Sequence, residues 1–149
     1  MIDTLILNNW QCFTLLKHRK SVELIQKHNS SQPLFLYVAF QAPHGPIMKP
    51  PEKYFDLYKD MRISPHHINR AATVSALDSA VGSIVQSLRD NNMFDDSLIL
   101  FSSDNGGSVI NHSNLPLRGD KEYLYEGGTR GVGFVTGGKL KTRGRETDE

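Results

Sequence analysis

At 149 residues the chain is one domain's worth of polypeptide, and 17 Lys and Arg against 16 Asp and Glu leave a formal net charge of +1. That near-neutral balance gives no electrostatic reason to seek nucleic acid or an anionic membrane. No apolar run reaches the roughly 18 residues that a membrane-spanning helix needs.

The first segment, Met1 to Trp10, places Asp3 where a signal peptide carries a basic residue. It also lacks a long apolar core followed by a small-residue cleavage site, so no signal peptide is read here. Cys12 is the single cysteine and has no partner for an internal disulfide. Residues 14–28 read as a helix, with Leu15, Leu16, Val22 and Ile25 on one face and Lys17, Arg19, Glu23 and Lys27 mostly elsewhere. Turn formers from Asn29 to Pro33 end it.

Leu34 to Phe40 is a continuous apolar run bounded by Pro33 and Pro43, too short for a typical helix, and reads as a buried strand. The loop from Gln41 to Pro51 holds five Pro and Gly positions (Pro43, Gly45, Pro46, Pro50, Pro51) that exclude regular structure. From about Asn69 to Asp90 the apolar positions Ala72, Leu77, Val81, Ile84, Val85 and Leu88 recur at helical intervals, and Asn91-Asn92 is the stop. Ser97 to Ser102 reads as a second buried strand, and Val132 to Val135 is a third short apolar stretch between glycines. Strand, loop, long helix, strand is the order of a βαβ unit, so the fold class is α/β with a mostly parallel sheet flanked by helices. Ligands of such sheets gather at the carboxyl ends of the strands, where the loops with His44 and Asp104 fall.

Asp104-Asn105-Gly106-Gly107 leaves the second strand directly. A carboxylate beside an amide oxygen offers two hard ligands of the kind Ca²⁺ or Mg²⁺ prefers, and the tetrapeptide alone is equally an ordinary turn. His44 follows the first strand, where an imidazole can hydrogen-bond an anion or donate a proton; a lone loop histidine is also simply a surface residue. Lys121 in Arg118-Gly119-Asp120-Lys121 offers a point charge for an anionic oxygen, or is an exposed lysine like most others. The glycines from Tyr123 to Val132 lack nucleotide-binding spacing and are explained by turns feeding a strand. His66-His67 point different ways on a helix and read as exposed. The short basic clusters Lys17 to Lys20 and Lys139 to Arg145 read as solvated faces. Asn29 and Asn111 each open an Asn-x-Ser sequon and are glycosylation candidates on a secretory route.

Taken in order, these pieces resemble the sulfatases, most closely the arylsulfatase B group. The series runs from Pro33-Leu34-Phe35-Leu36-Tyr37 and His44 to the Ala76 to Gly82 helix and Phe101-Ser102-Ser103-Asp104-Asn105-Gly106-Gly107. Pro116-Leu117-Arg118-Gly119 with Lys121 follows, then Glu126-Gly127-Gly128-Thr129-Arg130-Gly131. The resemblance spans about residues 33–138 and implies an alkaline-phosphatase-like α/β fold. It divides the chain into an unmatched segment 1–13, part of a catalytic domain over 14–140 and a charged tail 141–149. It implies a hydrolase of sulfate esters, with a sulfated carbohydrate or aryl sulfate as substrate, Ca²⁺ as cofactor and a lysosomal or secreted setting. Its nucleophile is a formylglycine made from the cysteine of a Cys-x-Pro-Ser-Arg motif. Residue by residue, it makes Asp104 and Asn105 metal ligands, and His44 and Lys121 catalytic, sulfate-binding groups. Those four are expected to converge at the carboxyl end of neighbouring strands.

The departures are specific. Cys12 lies in Gln11-Cys12-Phe13-Thr14-Leu15, without the proline, serine or arginine of the motif. The family's N-terminal Asp pair that completes the calcium site is missing, and two ligands fall short of the six to eight that Ca²⁺ takes. The chain is therefore expected to be a middle fragment, inactive alone. The competing readings are a pseudo-sulfatase that at most binds anions, and another alkaline-phosphatase superfamily hydrolase acting on phosphate esters.

Overall fold

The computed structural model describes residues 13–45, 49–108, 114–142 and 144–146. They fall into two compact units divided between Phe94 and Asp95.

The first unit is helical. Helix α1 covers Phe13–Lys27 and helix α2 covers Pro65–Asp90, with short 3₁₀ turns at Glu52–Tyr54 and Asp56–Tyr58 before α2. The helical periodicity expected for both holds: Ile25 of α1 is fully buried, and Ala72, Ala76, Leu77 and Ala80 of α2 are buried. Ala72, Ala76 and Ala80 stand four apart, so a stripe of methyl groups runs down one face of α2. Tyr54 packs against Ala72 and Ala76, with Phe55 and Tyr58 beside them. The Tyr58 hydroxyl lies 2.6 Å from Ser75 Oγ and ties that turn to α2.

Helix α2 begins four residues before the expected start. The reason is local chemistry that apolar periodicity does not carry. Ser64 is the N-cap, its Oγ accepting from the His67 N–H at 3.4 Å, and Pro65 occupies the first turn, where its missing N–H costs nothing. The Asn91-Asn92 stop is as expected. Asn92 takes the left-handed conformation (φ 54°), and the Asn91 carboxamide donates back to the Ser87 carbonyl. Arg89 then lies 3.6 Å over the Phe94 ring. His66 and His67 are exposed, as expected.

On α1, hydrogen bonds from Lys27 first and Lys20 second hold the Glu23 carboxyl below its ordinary value. This contribution is present above the usual carboxylate range and is lost as pH falls through the lowered pKa. The exposed setting keeps it small.

Leu34 to Phe40 departs from the expected buried strand. The segment is extended, and its exposure alternates residue by residue, but only Phe35 makes a strand-like bridge. Phe35 and Tyr37 are 68% and 72% exposed. The period of two is that of a strand, and no ladder flanks it among the described residues to cover its second face.

The second unit is built on a two-stranded ribbon. Strand β1 (Ile99–Ser102) pairs with β2 (Gly133–Thr136), with Leu100 opposite Val135 and Phe101 opposite Phe134. The two phenyl rings stack at 4.9 Å. The pairing is antiparallel, so the mostly parallel sheet expected from the βαβ order is not the ladder formed here. The long helix followed by β1 is as expected, but the first strand of the expected order is not a strand among the described residues, and β1 pairs instead with β2, which overlaps the Val132 to Val135 stretch. Nor is β1 buried on both faces, since Leu98 and Leu100 are 65% and 73% exposed. The 30-residue excursion between β1 and β2 holds one further turn of helix, α3 (Glu126–Thr129).

One glycine in the first unit has no structural reason to be glycine. Gly82 lies inside α2, and a Cβ built there meets nothing within 4 Å. Gly82→Ala is therefore expected to stabilise the chain by about 1 kcal/mol through lost unfolded-state freedom, read as a higher melting temperature. An unchanged or lower melt would show that α2 does not limit unfolding.

Candidate functional site

His44 sits in the first unit, in a turn closed by its own N–H donating to the Gln41 carbonyl at 2.8 Å. The imidazole is exposed, with Nδ1 2.5 Å from the Gly45 carbonyl, an oxygen that can only accept, so Nδ1 is the donor of that hydrogen bond. The turn is anchored from α2. Arg70 reaches across to donate to the Pro43 carbonyl at 2.9 Å, and burial pushes its guanidinium down from its ordinary value.

The remaining candidates lie in the second unit, where β1 opens into Asp104-Asn105-Gly106-Gly107. Asp104 and Asn105 are both exposed. The Asn105 N–H donates to Asp104 Oδ1 at 3.0 Å, and the Asn105 amide donates to the Gly106 carbonyl at 2.8 Å. That second bond engages the amide nitrogen, and Oδ1 is the amide's ligand-type atom.

Lys121 comes to the same place by backbone contact. Its N–H donates to the Gly107 carbonyl at 3.3 Å, so the lysine loop lies against the end of the Asp104–Gly107 loop. Asp120 is buried at 5% exposure, with Oδ1 accepting from the Glu122 N–H at 3.1 Å, while the Lys121 side chain is exposed. Burying Asp120 turns its neighbour outward.

Glycine makes this approach possible. Gly106 N–H donates to the Gly128 carbonyl at 2.9 Å, and Gly127 N–H donates to the Arg118 carbonyl at 2.7 Å. A Cβ at Gly106 would stand 1.7 Å from the Gly127 oxygen, and one at Gly127 would stand 2.2 Å from the Gly119 oxygen. Gly127 and Gly128 thus do more than turn the chain into a strand: with Gly106 they form a backbone-to-backbone joint.

Two residues that sequence reasoning passed over belong here. Asn114 bonds both loops through its carboxamide, and it lies two positions before the Pro116-Leu117-Arg118-Gly119 landmark. Its only sequence signal was that of an asparagine in a turn. Arg70 gave no signal beyond its place on a helix. Of the glycosylation candidates, Asn29 is exposed just beyond α1, its Oδ1 accepting from Ser31 N–H and Oγ at 3.1 and 2.8 Å. Asn111 and Cys12 lie outside the described residues.

Asp104 and Asn105 fit a hard divalent cation in kind, as a carboxylate and an amide oxygen on exposed residues at the end of a strand. In number they supply two donors. No group of three or more His, Cys, Asp and Glu gathers among the described residues. They would hold one side of a cation, and further oxygens have to complete it.

The structure thus brings Asp104, Asn105 and Lys121 into one loop cluster and sets His44 on an anchored turn in the first unit. A family profile described as Sulfatase matches residues 5–148. The chain belongs to the sulfatase family. It is 41% identical over 123 residues to arylsulfatase J of Mus musculus, covering 82% of this chain and 20% of that protein. It is 37% identical over 109 residues to the uncharacterized sulfatase YdeN of Escherichia coli, covering 70% of this chain and 19% of that protein. Among solved structures, Ps i-CgsB in complex with k-i-k-neocarrahexaose superposes with a TM-score of 0.74 at 33% identity, over 82% of this chain and 27% of that one. The chain spans about a fifth of the length of these curated relatives.

Proposed function

We propose that this chain carries part of the sulfate-ester site of a sulfatase, acting on sulfated carbohydrates or aryl sulfates when the site is whole. The observation that carries the reading is the joining of the Asp104–Gly107 loop to the Lys121 loop through the Lys121 N–H and the Gly107 carbonyl. Family membership supplies the chemistry to which such a cluster belongs.

In this reading Asp104 and Asn105 hold one side of a Ca²⁺ ion, which when bound neutralises charge on the sulfate group. Lys121 places its ammonium against a sulfate oxygen as a compact point charge. His44, its ring oriented by Gly45 and its turn by Arg70, is a further candidate for binding an anion, on the first unit. A lysosomal or secreted setting accords with the exposed sequon at Asn29. No helix among the described residues is long and apolar enough to cross a membrane.

Only one of the two metal ligands carries charge, so Ca²⁺ is expected to bind at about millimolar concentration or more weakly. Titrating CaCl₂ and then sodium sulfate into ¹⁵N-labelled protein tests the whole assignment. The amides of Asp104 and Asn105 are expected to move with Ca²⁺, and those of Lys121 and of His44 each to move with sulfate. Sulfate shifts at Lys121 that leave His44 unmoved would remove His44 from the site. Saturation by micromolar Ca²⁺ would show a complete metal site instead of a partial one.

A further inference from the structure

A carboxamide offers two N–H donors and one acceptor oxygen, and Asn114 uses all three on backbone. Its Oδ1 accepts from the Gly107 N–H at 2.9 Å, and its Nδ2 donates to the Gly107 carbonyl at 2.8 Å. The second proton of Nδ2 goes to the Gly119 carbonyl at 3.0 Å. The first two bonds grip both polar groups of one residue, as a neighbouring strand would. The third crosses to the other loop. Because Gly107 ends the Asp104–Gly107 loop and Gly119 lies two residues before Lys121, one half-buried side chain spans the two segments. The Gly107 carbonyl also accepts from Lys121 itself, so Asn114 and Lys121 share an acceptor.

We infer that Asn114 is a positioning residue, setting the spacing between the Asp104–Asn105 oxygens and the Lys121 ammonium. This rests on the reading of those three residues as one sulfate-ester site. No other residue type meets the geometry. Aspartate keeps the shape and the acceptor, but has no proton for either carbonyl and places negative charge against both. Glutamine adds a methylene and overreaches. Serine and threonine bring a single donor. The residue touches neither metal nor ester in this scheme and acts only through the loops it joins.

Two variants of the full 149-residue chain test the inference, Asn114→Ala and the isosteric Asn114→Asp. The probes are CaCl₂ and sodium sulfate, followed on ¹⁵N amide resonances. Both variants are expected to weaken Ca²⁺ at the Asp104 and Asn105 amides, and sulfate at the Lys121 amide, by about tenfold, as removal of supporting hydrogen-bond partners does elsewhere. The Gly107 amide separates the variants. It is expected to lose its exchange protection in Asn114→Ala and to keep most of it in Asn114→Asp, where the acceptor remains. Amides of Phe101 and Phe134 in the ribbon report folding and are expected to stay protected in both. If Asn114→Ala does not fold, the isosteric variant carries the test alone.

Binding constants within twofold of wild type in a folded variant overturn the positioning role and leave the site reading intact. Weakening that appears only in step with loss of Phe101 and Phe134 protection also overturns it, since general destabilisation then explains the effect. A wild-type chain that responds to neither probe overturns the site reading and this inference with it.

Discussion

Purified and supplied with Ca²⁺ and the formylglycine-generating enzyme, the 149-residue chain is expected to leave a chromogenic aryl sulfate unhydrolysed. The resemblance to the sulfatases implies a formylglycine nucleophile made from a Cys-x-Pro-Ser-Arg motif, and these 149 residues do not contain that motif. Cys12, the one cysteine, is followed by Phe13, Thr14 and Leu15. In the proposed reading the candidates present only bind and orient: Lys121 and His44 contact the anion, and Asp104 with Asn105 holds a cation. None of them supplies the covalent route, and without it the remaining groups have nothing to accelerate. Release of the chromophore at the uncatalysed rate is the expected readout. Turnover that disappears in Cys12→Ala would show that this cysteine is the nucleophile after all, and that the departure from the motif is tolerated.

The second large effect is structural. Gly106→Ala is expected to destabilise the second unit by about 3 kcal/mol, the upper end of what an added methyl costs in a packed interior. The methyl would stand 1.7 Å from the Gly127 oxygen and 2.8 Å from its carbonyl carbon. Both are backbone atoms, with no flexible end to swing away. Relief requires the Asp104–Gly107 loop to withdraw from Gly127 and Gly128, which breaks the Gly106 bond to the Gly128 carbonyl. For a chain of this size the melting temperature should fall by roughly 10 °C. Circular dichroism melts decide the matter, with Gly82→Ala as the matched substitution of opposite sign. A Gly106→Ala melt within about 1 °C of wild type would mean that the two loops do not touch in solution.

How much of this was legible beforehand depended on the kind of signal. Both long helices could be read because their apolar residues recur at helical spacing, and Ala72 and Leu77 are buried where periodicity placed them. The four-residue error at the start of α2 has a different origin. Ser64-Pro65 is a capping signal, carried by hydrogen-bond chemistry and a ring, and not by hydropathy. Strand pairing was the least legible. Leu98 to Phe101 is apolar enough for a doubly buried strand, yet nothing in its composition says which segment lies beside it. Phe134 pairs with Phe101 across more than 30 residues of chain. Such a partner is chosen by tertiary packing, as the context dependence of strand preference implies.

The site was legible in its chemistry and not in its support. Asp104, Asn105, His44 and Lys121 stood out because each carries a group with an obvious use and a place in an ordered series of motifs. Asn114 and Arg70 act on backbone carbonyls. A residue that serves the main chain has no preferred company in sequence, so short-range pattern does not find it. The glycines fell between these cases. Their abundance was plain, and their use as a contact surface required knowing that two loops meet.

That contact has a consequence for how such a site diversifies. The joint between the Gly106 and Gly127 loops consists of main chain, which is chemically the same in every protein. It therefore contains no information about what is bound. In the proposed reading, discrimination among esters falls to side chains outside it, such as Leu124, which is 96% exposed. A side chain so exposed can change without disturbing the glycine contact. In such an arrangement, framework and selectivity are inherited separately.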